Sequence, residues 1–388
     1  MASSIHGRFL LLVTLIGLAP GCAQVQSVGS LFSRQRSELP EKVFSVSWWT
    51  KADESFVQPY QPVETGAPES DPQSGLAFAA TADGKVRAYA DQGRYLWEYD
   101  AQGPFNAGPT FSDGKLYLAT SKGRLVALEA ATGRQIWAYI ATDELLTRPV
   151  IAGGLVLVMS ASDTLFAVDQ ATGEWKWQYR REQSSEFTIR GTARPLSLEG
   201  RVYAGFADGN AVALDLADGS VQWTKDLGGG KAFADVDADP VADDFGRVYF
   251  ASYATGLFAL DGQSGAVVWT YSQPAVTALY VDAATRRVFA GGNGFLVGLA
   301  PDSGDLRWKL SLGERFVSGL SLTNGLLLAA TGPGPLLFVD SSSGRLRRSF
   351  DPGRGIWATP TVHDSGQALV LSNRGYLYNL QIEAWGRP

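Results

Sequence analysis

Cysteine is almost missing from this chain of 388 residues: Cys22 stands alone, so no intrachain disulfide can form. Histidine is nearly as scarce, with His6 close to the start and His363 close to the end. Two imidazoles so far apart leave no histidine metal cluster and at most one Ser/His/Asp arrangement, and no metal or cofactor is expected. No apolar run reaches the roughly 20 residues of a helical membrane span; the stretch from Phe9 to Ala19 is about half of that. A basic excess is also absent, because 33 Lys and Arg against 39 Asp and Glu give a formal charge of −6, one unit more negative without Arg8. Nucleic acid is therefore not expected as a partner. No segment keeps a helical period. The glycine clusters Gly228-Gly229-Gly230 and Gly291-Gly292-Asn293-Gly294 are not followed by helices, so they read as turns rather than phosphate cradles. His363, after Thr361-Val362, reads as a strand-end residue.

What the chain does have is one short pattern written again and again: an alternating apolar strand, a polar turn ending in Gly, and a strand with Trp four residues after that Gly. The fullest copies run Ala127 to Gly133 with Trp137, Ala167 to Gly173 with Trp177, Ala213 to Gly219 with Trp223, and Ala259 to Gly265 with Trp269. Gly93 with Trp97 closes a turn one residue shorter, Gly304 leads to Trp308, and Gly344 leads to Arg348 where Trp is due. These are seven units. An eighth is split across the ends: Tyr376-Leu377-Tyr378-Asn379-Leu380 gives the strand before the turn, and Val43 to Trp49 the strand after it. Repeats of this length made only of strands predict an all-β, eight-bladed β-propeller of four-stranded blades, closed by pairing N-terminal and C-terminal strands. An x-Pro-apolar signature at Pro109, Pro149, Pro195, Pro240 and Pro360 marks the start of the innermost strand, a position where Pro is tolerated.

Residues 1–21 combine a short polar head carrying Arg8, the apolar stretch and small residues, as in a secretory signal. Leu18-Ala19-Pro20-Gly21-Cys22 resembles a bacterial lipoprotein processing box, with Pro20 as its departure from the usual pattern. The resemblance implies that Cys22 becomes the acylated first residue, and Ala23, which is not Asp, implies sorting to the outer membrane. Residues 22–42 would then be a lipidated flexible tether, and 43–388 the propeller.

The motif Ala-x-Asp-x-x-Thr-Gly-x-x-x-Trp resembles the tryptophan-docking motif of the pyrroloquinoline-quinone propeller superfamily. It implies fold rather than activity, with each Trp packed between blades. Enzymatic members of that superfamily hold a quinone with Ca²⁺ under a cap of adjacent cysteines, and this chain has no second cysteine to offer. A quinone-dependent dehydrogenase stays as the rival enzyme reading.

Spacing singles out two units. Trp97 to Pro109, Trp137 to Pro149 and Arg348 to Pro360 are each 12 residues apart, but Trp177 to Pro195 is 18 and Trp223 to Pro240 is 17. Two successive blades thus carry longer loops at the same place, Arg181 to Gly191 and Lys225 to Asp239, which should emerge side by side on one face. Phe187-Thr188-Ile189-Arg190-Gly191 and Phe233-Ala234-Asp235-Val236-Asp237 resemble the two partner-binding segments of the BamB family, lipoprotein propellers of the outer-membrane β-barrel assembly machine. The resemblance implies that Phe187, Ile189, Arg190, Asp235 and Asp237 contact a periplasmic domain of the barrel-forming subunit. It also implies a non-enzymatic scaffold on the periplasmic face of the outer membrane, assisting unfolded outer-membrane clients. Read from the residues alone, Phe187 and Ile189 offer apolar contact area, Arg190 a planar donor fork, and the two Asp acceptors for it or for a partner cation. Arg190 braced on Asp235 within the chain, and an exported propeller that binds another protein or a glycan, remain open alternatives.

Overall fold

The computed structural model describes residues 42–53, 63–181 and 193–384. Within them lie eight antiparallel sheets, and in seven the four strands follow chain order or its closure across the termini. Blade 1 runs Glu69–Ser70, Ala77–Ala80, Lys85–Ala90 and Arg94–Asp100; blade 2 follows from Thr110 to Ile140, blade 3 from Val150 to Arg180, blade 4 from Leu196 to Asp226 and blade 5 from Val241 to Tyr271. Blade 6 departs from the regular pattern. Its two middle segments form one strand, Arg287–Leu299, whose first half pairs with Val276–Asp282 and whose second half pairs with Leu306–Phe316. The cluster expected to be a turn at 291–294 lies inside that strand, and of its glycines Gly294 alone has a positive φ, +82°. Backbone from a neighbour explains the small residues, since a Cβ on Gly292 would collide with the carbonyl of Ala275. Blade 7 spans Gly319 to Phe350, and blade 8 joins Thr361–Val362, Gln367–Leu371 and Tyr376–Ile382 to Phe44–Lys51. The split eighth unit is thus a paired strand, Phe44 opposite Ile382 and Lys51 opposite Tyr376.

The repeat motif works through two neighbours of its Trp. Directly across the third-to-fourth strand pair stands a small residue: Ala88 faces Trp97, Ala127 faces Trp137, Ala167 faces Trp177, Ala213 faces Trp223, Ala259 faces Trp269, and Gly298 faces Trp308. That gap lets the indole lie flat and reach the next blade. There it covers the turn Gly of the following unit, so that a Cβ on Gly173 would stand 2.6 Å from the Trp137 ring, and one on Gly219 or Gly304 equally close to Trp177 or Trp269. The indole N–H then donates to the carbonyl three residues before that Gly: Trp137 to Gln170 (3.1 Å), Trp177 to Leu216 (3.0 Å), Trp223 to Gly262 (2.9 Å), Trp269 to Pro301 (2.7 Å) and Trp308 to Ser341 (3.0 Å). Each turn Gly has φ near +70°, a conformation that a Cβ penalises. Trp48, on the strand from the N-terminal segment and opposite Asn379, lies over Gly93 and covers that turn across the closure.

Blade 7 is the exception, and the exception is self-consistent. Arg348 is exposed where Trp is due, and the residue opposite it is Phe338 instead of Ala. The turn that should receive a Trp does not exist in blade 8, because the chain ends occupy its place. Phe44 fills the seam instead, stacked on Phe338 at 4.7 Å and edge-on to Phe350 at 5.6 Å.

Toward the axis, first strands brace one another. Thr110 donates to the carbonyl of Pro149 and Thr361 to that of Pro68, both at 2.5 Å, so the prolines that lack an N–H still serve as acceptors. Thr277 does the same to Val317 at 2.5 Å, and Arg148 reaches Glu69 as an ion pair. His363, just past its strand, meets the Ser70 hydroxyl at 2.5 Å across the 8/1 seam.

Two outcomes test this account. Gly173→Ala meets both the Trp137 ring and an unfavourable φ, and should cost roughly 2–4 kcal/mol; Gly114→Ala, at φ +71° with open space around it, should cost about 1 kcal/mol, read by chemical denaturation. Deleting residues 23–50 removes the strand that closes the ring and should lower the Tm far more than deleting 23–40, whereas equal melting temperatures would refute the closure.

Candidate partner-binding face

Antiparallel strands alternate in direction, so the links between blades and the hairpins between second and third strands open on one face of the disc. The turns between first and second and between third and fourth strands open on the other. Lys42 and Glu383, ion-paired at 3.2 Å, stand in the latter position in blade 8. Residue 42 therefore lies on the turn face, and the long loop after the strand Val221–Asp226 belongs to the link face.

The second long loop is shorter than expected at its start. Lys225 and Asp226 still belong to the strand Val221–Asp226, and the loop runs from Leu227 to Pro240. Its base is built by hydrogen bonds: Asp226 accepts from the N–H of Gly228 (2.8 Å) and Gly229 (3.0 Å), and Thr255 donates to the Leu227 carbonyl at 2.7 Å. Further along, Ser252 donates to the Ala234 carbonyl at 2.8 Å, Tyr253 N–H to that of Asp235 at 2.9 Å, and Val236 N–H to that of Phe206 at 3.2 Å. Val236 is fully buried and Ala234 nearly so, the latter fitted against Gly209 and Gly228, which leave no room for a Cβ.

Of the expected site residues, Phe187, Ile189 and Arg190 lie outside the described residues, as does Cys22. Asp235 and Asp237 stand on the loop two residues apart. Asp235 is 1% exposed, and among the described residues neither of its carboxylate oxygens has a hydrogen-bond partner. Asp237 is partly exposed, with Oδ1 equally unmatched. Burial first, then the charges of Asp235 and Asp163, push the Asp237 carboxyl up to about 7. Asp163 is pushed up to about 6, again by burial and then by Asp208 and Asp235, against a hydrogen bond from the backbone of Ala207. Burial raises Asp235 as well.

Asp163 and Asp208 come from the hairpins of blades 3 and 4, and the spacing argument passed over them. A signal was present for Asp163. Aligned by repeat, it occupies the hairpin slot held by Gly84, Gly123, Gly209 and Gly375, and it adopts their left-handed backbone at φ +54°. Asp208 is held by Arg181 at 2.5 Å, and Asp239 by Arg194, whose N–H donates to it at 2.7 Å and whose guanidinium stands 3.5 Å away. Arg194 and Asp239 thereby tie the inner ends of the two long links together. What remains is a group of carboxyls, Asp163, Asp235 and Asp237, in which Asp235 and Asp237 have no cationic partner among the described residues. Such a group can take up a guanidinium or ammonium; His363 belongs to a first-to-second-strand turn of blade 8, on the other face.

A sequence profile of the family described as "Outer membrane protein assembly factor BamB" matches residues 82–291. The protein so described from Xanthomonas campestris pv. campestris is 30% identical over 401 aligned positions, covering 94% of this chain and 95% of that one. The one from Legionella pneumophila is 25% identical over 202 residues, 50% of this chain, and there the chain spans about half of the relative's length, 52%. Among solved structures, BamB from Moraxella catarrhalis superposes with a TM-score of 0.74 at 23% identity, covering 88% of this chain and all of that one. A europium-containing methanol dehydrogenase superposes with a TM-score of 0.72 at 13% identity over 87% of this chain and 93% of its own, which speaks to fold alone. Matched by profile over more than half its length and by a full-length relative, this eight-bladed propeller belongs to the family of the outer membrane protein assembly factor BamB.

Proposed function

We propose that this chain is a non-enzymatic periplasmic scaffold, anchored to the outer membrane through acylated Cys22, that binds a periplasmic domain of the barrel-forming subunit and assists insertion of outer-membrane proteins. The observation that carries the reading is the unmatched carboxyl group on a built loop: Asp237, partly exposed beside the buried Asp235, offers an acceptor to a cation on the face away from residue 42. Buried carboxylates without partners cost stability in the free protein, and a partner's Arg or Lys would remove that cost on binding. Phe187, Ile189 and Arg190 extend the same contact from the neighbouring loop. The relatives' description as outer membrane protein assembly factors supports a role in that assembly, and in this reading the barrel-forming subunit is the partner and unfolded outer-membrane proteins are the clients.

Capture of the purified periplasmic region of the barrel-forming subunit is the test. Asp237→Ala should weaken capture by about 2 kcal/mol, whereas Asp218→Ala and Ser264→Ala on the turn face should leave it unchanged. Because the Asp237 carboxyl is raised, wild-type capture should strengthen as pH rises through about 7, where Asp237 ionises beside Asp235 and Asp163. Stability should move the other way. A carboxyl raised in the folded state contributes fully below its unfolded value near 3.8, and that contribution is lost as pH rises through about 7. Asp237→Asn should flatten both slopes; slopes unchanged in that variant would count against the site.

For the anchor, Cys22→Ser should release the protein from the outer-membrane fraction or leave its leader uncut, and abolish incorporation of labelled palmitate. Membrane fractionation and labelling unaltered in the variant would refute it.

A further inference from the structure

Resting on that reading, we infer that Phe233 is the aromatic anchor of the interface, seated in an apolar pocket of the partner whose rim carries Lys or Arg. Phe233 is a bulky side chain at φ +56°, in the left-handed region where such residues are rare. It is 51% exposed, and among the described residues no aromatic ring or cation packs on it. Strained backbone and an uncovered aromatic are both unfavourable in the free protein. Neither is a by-product of a loose loop. The flanking residues are fixed from beneath, Ala234 and Val236 by burial, Leu227, Ala234 and Asp235 by hydrogen bonds to Thr255, Ser252 and Tyr253. Gly229 to Ala232 are exposed, so Phe233 ends an exposed tip raised on a rigid base, with the half-exposed Tyr253 attached at its side. An aromatic held in one orientation before contact loses little entropy on binding, which is what hot-spot residues share.

Charge decides the chemistry around the pocket. Close to Phe233 stand the partly exposed Asp237 and Asp163 beside the buried Asp235, while the nearby Arg181 and Arg194 are already held by Asp208 and Asp239, and Lys231 is the single cation of the exposed tip before Phe233. On the side of Asp237 and Asp163 the surface next to the aromatic is thus acidic, and a complementary partner surface is basic there, beside an apolar centre.

Phe233→Gly separates anchor from fold, because Gly relieves the left-handed strain while removing the ring. Capture of the purified periplasmic region of the barrel-forming subunit should fall at least about tenfold, with a Tm equal to or above wild type. Phe233→Tyr should capture within about threefold of wild type, and raising NaCl from 50 to 500 mM should weaken wild-type capture. If wild type captures the subunit and Phe233→Gly does so within twofold, the anchor is refuted and the reading stands. Salt-insensitive capture would refute the basic rim. If wild type captures none, the reading fails and the inference with it.

Discussion

The contact between a Trp on one blade and the turn glycine of the next is what the ring depends on. It joins three requirements in one place: a small residue opposite the Trp, a left-handed turn without a side chain, and a carbonyl three residues earlier that takes the indole N–H. Each blade alone is a small sheet with little to bury. Laid edge to face, neighbouring blades share a core, as Tyr117, Ala127 and Trp137 of blade 2 do with Val156, Val158 and Val168 of blade 3. The polar part of the contact orients the indole; burial supplies most of the free energy, since every hydrogen-bonded docking Trp is less than a tenth exposed.

One seam uses different chemistry because the topology leaves no choice. Placing the chain ends in the outer turn of blade 8 removes the glycine on which a Trp from blade 7 would lie. Position 348 is then free to be a solvated Arg, and position 338, no longer obliged to be small, carries the Phe that Phe44 stacks on. A missing motif residue and an unmotivated aromatic are in this way two halves of one substitution.

Fold was legible in the sequence because each blade repeats its constraint, and because a seven-and-a-half-fold pattern has only one way to close. The merged strand of blade 6 was not, since glycines in Gly291-Gly292-Asn293-Gly294 signal turns and close packing with the same residue type; only the neighbour's backbone tells which. The candidate site was named from loop length and from residue types, and of those residues the structure describes Asp235 and Asp237, both on one loop. Its carboxyl group was only half visible, since Asp163 comes from a hairpin distant in sequence that the disc brings near Asp237, with Asp208 of the next hairpin near Asp163. Reading Asp163 as the odd member of a glycine column would have found one of them. That Asp235 is buried rather than presented could not be read at all, because burial here is decided by backbone contacts from Ser252 and Tyr253 of the next blade.

The seam without a Trp lies between blades 7 and 8, and the long links lie at the junctions of blades 3, 4 and 5, nearly half a turn away around the disc. A closed ring under thermal agitation opens first where its junction is weakest. Strand Phe44–Lys51 is held at that seam by ring stacking and burial, while the far arc is packed through three consecutive indole contacts, Trp177, Trp223 and Trp269. The seam closed without an indole and the proposed recognition face thus stand nearly opposite each other on the disc, and hydrogen-exchange protection should differ between seams closed by an indole and the one closed by a phenyl ring.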